Sequence, residues 1–283
     1  MFQHFIITRF NLTTNQFNEL SKGGVSDAWM DNRLQIFQDY CYSSIAKQTN
    51  QNFSWLVFFD TSTSEKHVKT INILAEKYPN FVPVYAEGME NFLSGIQDEI
   101  KERLTEKFII TSRLDNDDCL HEEYINTLQE MFNFQNYLAV DFIKGITLKI
   151  NDEIKCGYRI HSYNPFISLI ESTESGFQTV CSKRHGGWGK IKLIKQVNID
   201  IPLWLSVVHD ENVLNRYIGF DDVDDKTLSS FNINPIIIKN ILKNRVPNKK
   251  LDSFKSKANA IPRYYLKLIR NKLRATLNLI PDK

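Results

Sequence analysis

Three aspartates fall within four positions, Asp115, Asp117 and Asp118, with Asn116 between the first two and the run F-I-I-T-S-R-L leading into them. Carboxylates this close raise one another's pKa unless positive charge sits among them. A divalent cation shared with a diphosphate supplies such charge, because Mg2+ or Mn2+ takes one or two carboxylates and completes its shell with phosphate oxygens. An EF-hand loop does not explain the cluster: the glycine needed at its sixth position is Leu120, and the bidentate glutamate needed at its twelfth is Asn126. A helix N-terminus capped by Asp118 accounts for one aspartate and not for three. Arg113 precedes the cluster by two residues, and its guanidinium suits either a diphosphate or the neighbouring carboxylates. Asp60 ends a second apolar run, S-W-L-V-F-F. No G-x-G-x-x-G or G-x-x-x-x-G-K-[ST] phosphate loop is present.

These acids need strands to carry them. His4–Thr8 and Ser54–Phe59 are short apolar runs and predict buried strands. Between them, Trp29, Leu34, Phe37, Tyr40, Cys41 and Ile45 recur at helical spacing. Ser64 is placed to cap a helix over Glu65–Lys77, followed by a strand at Phe81–Tyr85. A helix at Ser94–Glu106 and a strand at Lys107–Ser112 come next, then a helix at His121–Phe132. Strands are predicted at Tyr137–Phe142, Gly145–Ile150, Cys156–His161, Phe166–Glu171 and Phe177–Ser182. Strand–helix alternation followed by a strand-rich half predicts an α/β fold whose ligand lies at the carboxyl ends of the strands, where Asp60 and Asp115 stand.

The length of 283 residues and a composition of 42% hydrophobic and 24% charged residues predict a packed core and exclude global disorder. Four cysteines, Cys41, Cys119, Cys156 and Cys181, form no C-x-x-C pair, so a zinc site is not expected and reduced thiols are. The N-terminus has no signal-peptide pattern and no apolar stretch reaches membrane-spanning length, which points to a cytoplasmic protein. The net charge of +2 conceals an asymmetry: from Lys239 onward there are thirteen Lys and Arg against two acids, so the tail carries +11 and the body −9. At about 100° per residue, Arg263, Lys267, Arg270 and Arg274 share one face, while Tyr264, Tyr265, Leu268, Ile269 and Leu273 spread over the others. A basic amphipathic helix of this kind suits the anionic inner face of the cytoplasmic membrane, or packs on the body with its basic face wet. The expected division is a domain over 1–238 and a basic helical extension over 239–283; nucleic acid is the less favoured partner for that extension.

Five ordered blocks carry a resemblance: H-F-I-I-T-R-F-N at 4–11, R-L-Q-I-F-Q-D-Y-C-Y-S-S-I-A-K-Q-T at 33–49, F-S-W-L-V-F-F-D at 53–60, T-S-R-L-D-N-D-D at 111–118 and W-L-S-V-V-H-D-E-N at 204–212. Together they resemble the rhamnosyltransferase family, bacterial relatives of the family 2 glycosyltransferases with a GT-A fold, over roughly residues 1–225. The resemblance implies a Rossmann-like nucleotide-binding half, a mixed-sheet acceptor half and transfer with inversion of a sugar from a nucleotide-diphosphate donor. It implies Asp117 and His209 as ligands of Mn2+ or Mg2+, with Asp115 facing the donor ribose or the metal's water shell. Asp60 would meet the nucleobase, Thr8 and Arg9 would line the same pocket, and Arg113 would contact the donor. Such a reaction needs a carboxylate to take the acceptor's proton; Glu171 is the first candidate, since partial burial at a strand end would raise its pKa, followed by Glu174 and Asp210. In K-R-H-G-G-W-G at 183–189, His185 is expected to border the acceptor and Trp188 to stack on a sugar, with a plain turn as the simpler reading. The acceptor is expected to be a bacterial surface glycan or a lipid-linked glycan. A catalytically silent nucleotide-sugar or glycan binder docked to a membrane uses the same features and stands as the alternative.

Overall fold

A computed structural model describes residues 1–13, 25–210 and 216–282; Glu211 and Asn212 of the last motif, and Lys283 of the basic tail, lie outside the described residues. Strand β1 (Phe2–Arg9) is buried without a break from His4 to Thr8. Such a run, rather than an alternation, is what a strand needs when both faces of its sheet are covered. It pairs in parallel with β2 (Ser54–Asp60) on one side and β4 (Phe108–Arg113) on the other, with β3 (Phe81–Ala86) beyond β2. Three further strands, β6 (Tyr137–Phe142), β9 (Ser168–Ser172) and β10 (Ile194–Val197), complete a seven-stranded sheet of order β10-β6-β9-β4-β1-β2-β3. The chain runs outward from β1 through β2 to β3 and returns to the far side of β1 as β4. That reversal opens a crevice at the carboxyl ends of β1 and β4, where α/β sheets bind ligands.

A second sheet of order β12-β8-β7-β11-β5 covers the crevice end, from β5 (Cys119–Leu120), β7 (Lys144–Lys149), β8 (Lys155–Ile160), β11 (Trp204–Val208) and β12 (Phe220–Asp222). Trp204 opens β11 fully buried, stacked on Phe166 at 5.0 Å with its indole N–H donating to the Phe142 carbonyl at 2.6 Å. The ring lies over Gly145, where an added Cβ would come within 2.1 Å of it. Glycine is required there by the close approach.

The helix expected over Trp29–Ile45 forms, but in three parts: α1 (Asp27–Ile36), a π-helical turn over Phe37–Tyr42, and α2 (Ser43–Ala46). Ser26 caps it, accepting from the Trp29 amide. Met30, Leu34, Phe37, Cys41 and Ile45 pack into the core between the helix and the first sheet. Helices α3 (Glu65–Lys77) and α4 (Phe92–Arg103) follow the predicted pattern, whereas α5 (Tyr124–Gln129) is shorter than the expected His121–Phe132. The strand expected at Phe177–Ser182 does not form. Thr179 has φ +68°, the amides of Gln178 and Thr179 are donated to Glu171, and a 3-10 turn follows at Val180–Ser182. A β-branched residue in the left-handed region cannot continue a strand.

Three helices close the chain: α6 (Asp225–Ser229), α7 (Pro235–Asn244) and α8 (Lys250–Thr276). The division expected after residue 238 falls inside α7, whose Ile241 is buried in the core beneath the second sheet. Helix α8 is docked on the body: Ser253 meets the Asp221 amide and carboxylate, Lys257 pairs with Asp221 at 2.8 Å, and Asn271 donates to the Tyr163 hydroxyl and the Gly189 carbonyl.

Beneath the crevice lies a buried polar chain. His4 Nε2 meets Ser112 Oγ at 2.8 Å, Ser112 meets Ser168 at 2.7 Å, and Tyr124 hydroxyl lies 3.0 Å from Ser168. The Gln129 amide approaches His4 Nδ1 at 3.2 Å, which places the ring proton on Nε2 and keeps the imidazole neutral. Burial lowers the His4 pKa to about 3. A base whose folded pKa is depressed stabilises fully above its unfolded pKa, near 6.5, and loses that contribution as pH falls. Between pH 7 and pH 5 the loss from this group is about 2 kcal/mol. His4→Gln is therefore expected to flatten the decline in melting temperature over that interval; an unchanged slope would show that His4 does not titrate with unfolding.

Candidate active site

The loop after β4 is clasped from both sides before any ligand is considered. Asn116 donates to the carbonyls of Arg9 and Phe10 at 3.3 and 3.0 Å, tying the loop to the end of β1. Asp118 accepts the Val207 amide at 2.9 Å, tying it to β11 in the second sheet. Burial, with Asp117 and Asp115 adding to it, raises the Asp118 pKa well above the usual carboxylate range. A carboxyl buried and committed to the Val207 amide serves the loop's shape. Asp115 and Asp117 alternate with these two clasps.

Asp117 turns inward to His209, the residue after β11. Its Oδ2 lies 3.0 Å from His209 Nε2 and 2.9 Å from Arg33 Nη1. Arg33 Nη1 also meets Asn116 Oδ1 at 3.2 Å and stands 3.4 Å from His209 Nε2, while its guanidinium covers the Trp29 ring at 5.1 Å. All three residues of this knot are buried, at 6–7% exposure. Burial pushes the Asp117 pKa up, but the His209 hydrogen bond and the Arg33 charge outweigh it and hold the carboxylate below its usual range. Asp117 is thus an anion with a cation already beside it.

Asp117 Oδ2 and His209 Nε2 are donors of the type a small divalent ion takes, but their 3.0 Å separation here is that of a hydrogen bond between them. Among the described residues no group of three or more His, Cys, Asp or Glu side chains is arranged to hold a metal. A cation here would take Asp117 and His209, with diphosphate and water for the rest, and the Arg33 guanidinium would have to withdraw from between them. Asp115 stands at the rim, 39% exposed, paired with Arg113 at 3.1 Å.

The other residues singled out by sequence are placed as follows. Asp60 lies at the end of β2, but its carboxylate already accepts from the Ser62 amide and hydroxyl and from the Gly88 amide, so it shapes the adjoining turn. Arg9 is exposed at the end of β1, with Nη1 3.5 Å from Met89 Sδ. Thr8 is corrected: its side chain is fully buried beneath the sheet and accepts from the Trp55 indole at 2.9 Å, so it lines no pocket. Glu171 is corrected as the base. It pairs in register with Ile109 on the antiparallel β9, six residues short of Asp115, roughly 20 Å away at about 3.3 Å per residue. Its two carboxylate oxygens accept the Gln178 and Thr179 amides at 2.8 Å. Glu174 is exposed at that same far end, 3.7 Å from Lys107. Asp210 is exposed directly after His209, at the crevice end. Trp188 is corrected from a sugar platform to a core residue, 1% exposed among Tyr137 and the cluster under β9. His185 is exposed, its Nδ1 2.9 Å from the Tyr163 carbonyl.

Sequence reasoning missed Arg33 and Asn116. Arg33 looks like an ordinary solvated helix cation; its one signal is a position one helical turn after Met30, beside the stripe that faces the core. Asn116 looked like a spacer between acids, whereas an Asn at a strand end has the donors to bridge two carbonyls.

A family model described as "Putative rhamnosyl transferase" matches residues 2–219. No curated protein matches the sequence. Among solved structures, Staphylococcus aureus TarS 1–349 aligns with 12% identity over 72% of this chain and 60% of its own, at a TM-score of 0.42. The same fragment in complex with UDP-GlcNAc aligns over 93% of this chain and 72% of its own, again at 12% identity and 0.42. Mannosyltransferase PcManGT from Pyrobaculum calidifontis, in complex with GDP-Man and Mn2+, aligns at 10% identity over 74% and 58%, with a TM-score of 0.42. The chain thus spans about six-tenths of the length of the first and last of these.

Proposed function

The chain belongs to this rhamnosyl transferase family, and we propose that it is a GT-A type glycosyltransferase that moves a hexose, rhamnose or another, from a nucleotide-diphosphate donor to a bacterial surface glycan or lipid-linked acceptor, with inversion. The observation that carries this reading is the Asp117–His209–Arg33 knot at the carboxyl ends of β1 and β4. It holds a buried carboxylate ionised where a nucleotide diphosphate enters α/β sheets.

Asp117 and His209 would hold Mg2+ or Mn2+, which when bound neutralises charge on the leaving diphosphate. The chain's own residues do the rest. Arg113 and Arg9, at the ends of β4 and β1, offer guanidinium donors to the diphosphate. Asp115 faces the ribose or the metal's water shell from the rim. Asp210 takes the proton as the acceptor hydroxyl oxygen bonds to the anomeric carbon and the bond from that carbon to the diphosphate oxygen breaks; the nucleotide diphosphate leaves with the electron pair. Asp210 is chosen because it is the one of the three candidate acids at the crevice end.

The basic helix adds a place of work. Leu251, Phe254, Tyr265, Leu266, Ile269, Leu273 and Leu277 of α8 are each more than half exposed. At about 100° per residue they fall within about 140° of arc, flanked by Arg263, Lys267, Arg270 and Arg274 and facing away from the docked side. An apolar stripe beside a row of cations is the pattern of a helix lying in an anionic membrane surface; no described helix is long and apolar enough to cross one. We place the protein at the inner face of the cytoplasmic membrane on this basis.

One experiment tests both parts. Purified protein is offered a panel of nucleotide-diphosphate sugars with Mn2+ or Mg2+, on anionic or neutral vesicles, and release of free nucleotide diphosphate is followed. Turnover of one donor, faster on anionic vesicles and insensitive to them once 250–283 is removed, is expected. No turnover of any donor would leave the silent binder as the better reading, and equal rates on both vesicle types would remove the membrane.

A further inference from the structure

Between β8, β12 and α8 lies a cavity of about 360 Å³. Arg159, Lys255, Arg263 and Lys267 line it, with His161 and Ser162 at its wall, and no carboxylate among the described residues does. Four cations facing one concavity repel one another, and α8 would dock more favourably without them. Two polar atoms at its wall are also unsatisfied: His161 Nδ1 and the hydroxyl of Ser162, a residue 5% exposed, have no hydrogen-bond partner among the described residues. Buried polar atoms without partners are uncommon and mark a missing partner.

The charges around His161 agree with this. Burial, then Arg159, His185 and Lys267, lower its pKa to about 3. Burial likewise lowers the Arg159 pKa, with Asp118 opposing it more weakly. Among the described residues Asp118 offsets the burial of Arg159 only in part, and no carboxylate lines the cavity itself.

We infer that the cavity binds a phosphate or diphosphate group, carried by the acceptor and distinct from the diphosphate of the donor. The guanidiniums of Arg159 and Arg263 match phosphate oxygens bidentately, and the orphaned Ser162 hydroxyl and His161 Nδ1, now turned from solvent, would gain partners by rotating toward the anion. The apolar stripe of α8 passes Arg263 and Lys267 at Tyr265, Leu266 and Ile269, so a phosphate seated here can have its organic chain laid along that part of the stripe. The inference rests on the transferase reading for the identity of the ligand as acceptor, and on the cavity alone for its chemistry.

The test uses full-length protein in EDTA, so that Asp117 and His209 hold no metal, with the imidazoles labelled for NMR. Inorganic pyrophosphate is titrated in, and vesicles of phosphatidylcholine with and without phosphatidic acid form a second arm. The expected result is a shift of the His161 resonances and a rise in its pKa, with binding about tenfold weaker in Arg159→Met and in Lys267→Met. Lys267→Met guards against a folding defect in β8, since Lys267 is carried by α8. Response in the soluble arm identifies the anion as sufficient; response only to phosphatidic acid identifies a lipid phosphate, and both support the site. His161 resonances unmoved by both pyrophosphate and phosphatidic acid vesicles, or a responding anion that binds both variants as tightly as the parent, overturn it. Donor turnover is measured in parallel: turnover with no His161 response sinks the cavity alone, whereas a His161 response with no turnover sinks only the transferase reading.

Discussion

Asp117→Asn is expected to lower sugar transfer by about 10³-fold, with kcat and kcat/KM falling together, because the carboxylate acts on charge that appears as the diphosphate departs. The substitution keeps the side chain's shape but leaves Arg33 buried beside an amide. Removing one partner of a buried ion pair costs about 3–5 kcal/mol, so the variant is also expected to be less stable. Lost activity alone would therefore be ambiguous. The double variant Asp117→Asn with Arg33→Met separates the causes: removing the orphaned guanidinium should return most of the stability and none of the transfer. Thermal melts and initial rates on the three proteins check this. Recovery of transfer in the double variant would mean that Asp117 matters only as the counter-ion of Arg33.

Trp204→Ala is expected to cost about 3–5 kcal/mol and lower the melting temperature by roughly 10 °C. Three losses combine: the indole over Gly145, the stack on Phe166, and one of the two side-chain hydrogen bonds to the Phe142 carbonyl, the other coming from Asn164. Trp204 begins the strand that ends at His209, so transfer should fall by more than the unfolded fraction explains. Gly145→Ala approaches the same defect from the other side, since its Cβ would drive into the indole. Thermal unfolding followed by near-ultraviolet circular dichroism, with transfer assayed well below the transition, checks both. A Trp204→Ala protein that melts within 2–3 °C of the parent would show that the indole is not holding the two sheets together.

The parts of the fold visible in the sequence are those in which local pattern and tertiary demand agree. The unbroken apolar runs of β1 and β2 and the helical spacing from Trp29 to Ile45 predict buried strands and a core-facing helix, and the acids at strand ends follow from them. Phe177–Ser182 failed because its apolar content is bound up in a turn that the Glu171 carboxylate organises, a contact between residues seven and eight apart that propensity cannot register. Trp188 and Thr8 failed for a related reason. Type and neighbourhood suggested a ligand contact, while the direction of the side chain depends on which face of the sheet it meets. Glu171 shows the limit most plainly: an acid at the end of an apolar strand is well placed only if that strand runs parallel to β4, and β9 runs the other way. Arg33 reaches Asp117 across 84 residues of sequence, a meeting set by how α1 lies under the β4 loop and by nothing local.

The most direct measurement of the central claim is titration of Mn2+ into the protein, with the free ion followed by electron paramagnetic resonance, in the presence and absence of a nucleoside diphosphate. If Asp117 and His209 receive a cation together with the diphosphate while Arg33 withdraws, the free-ion signal falls steeply with nucleotide present, and Asp117→Asn abolishes the effect. A protein that binds the nucleoside diphosphate while leaving the free-ion signal untouched, or an Asp117→Asn variant that sequesters Mn2+ as the parent does, would contradict it.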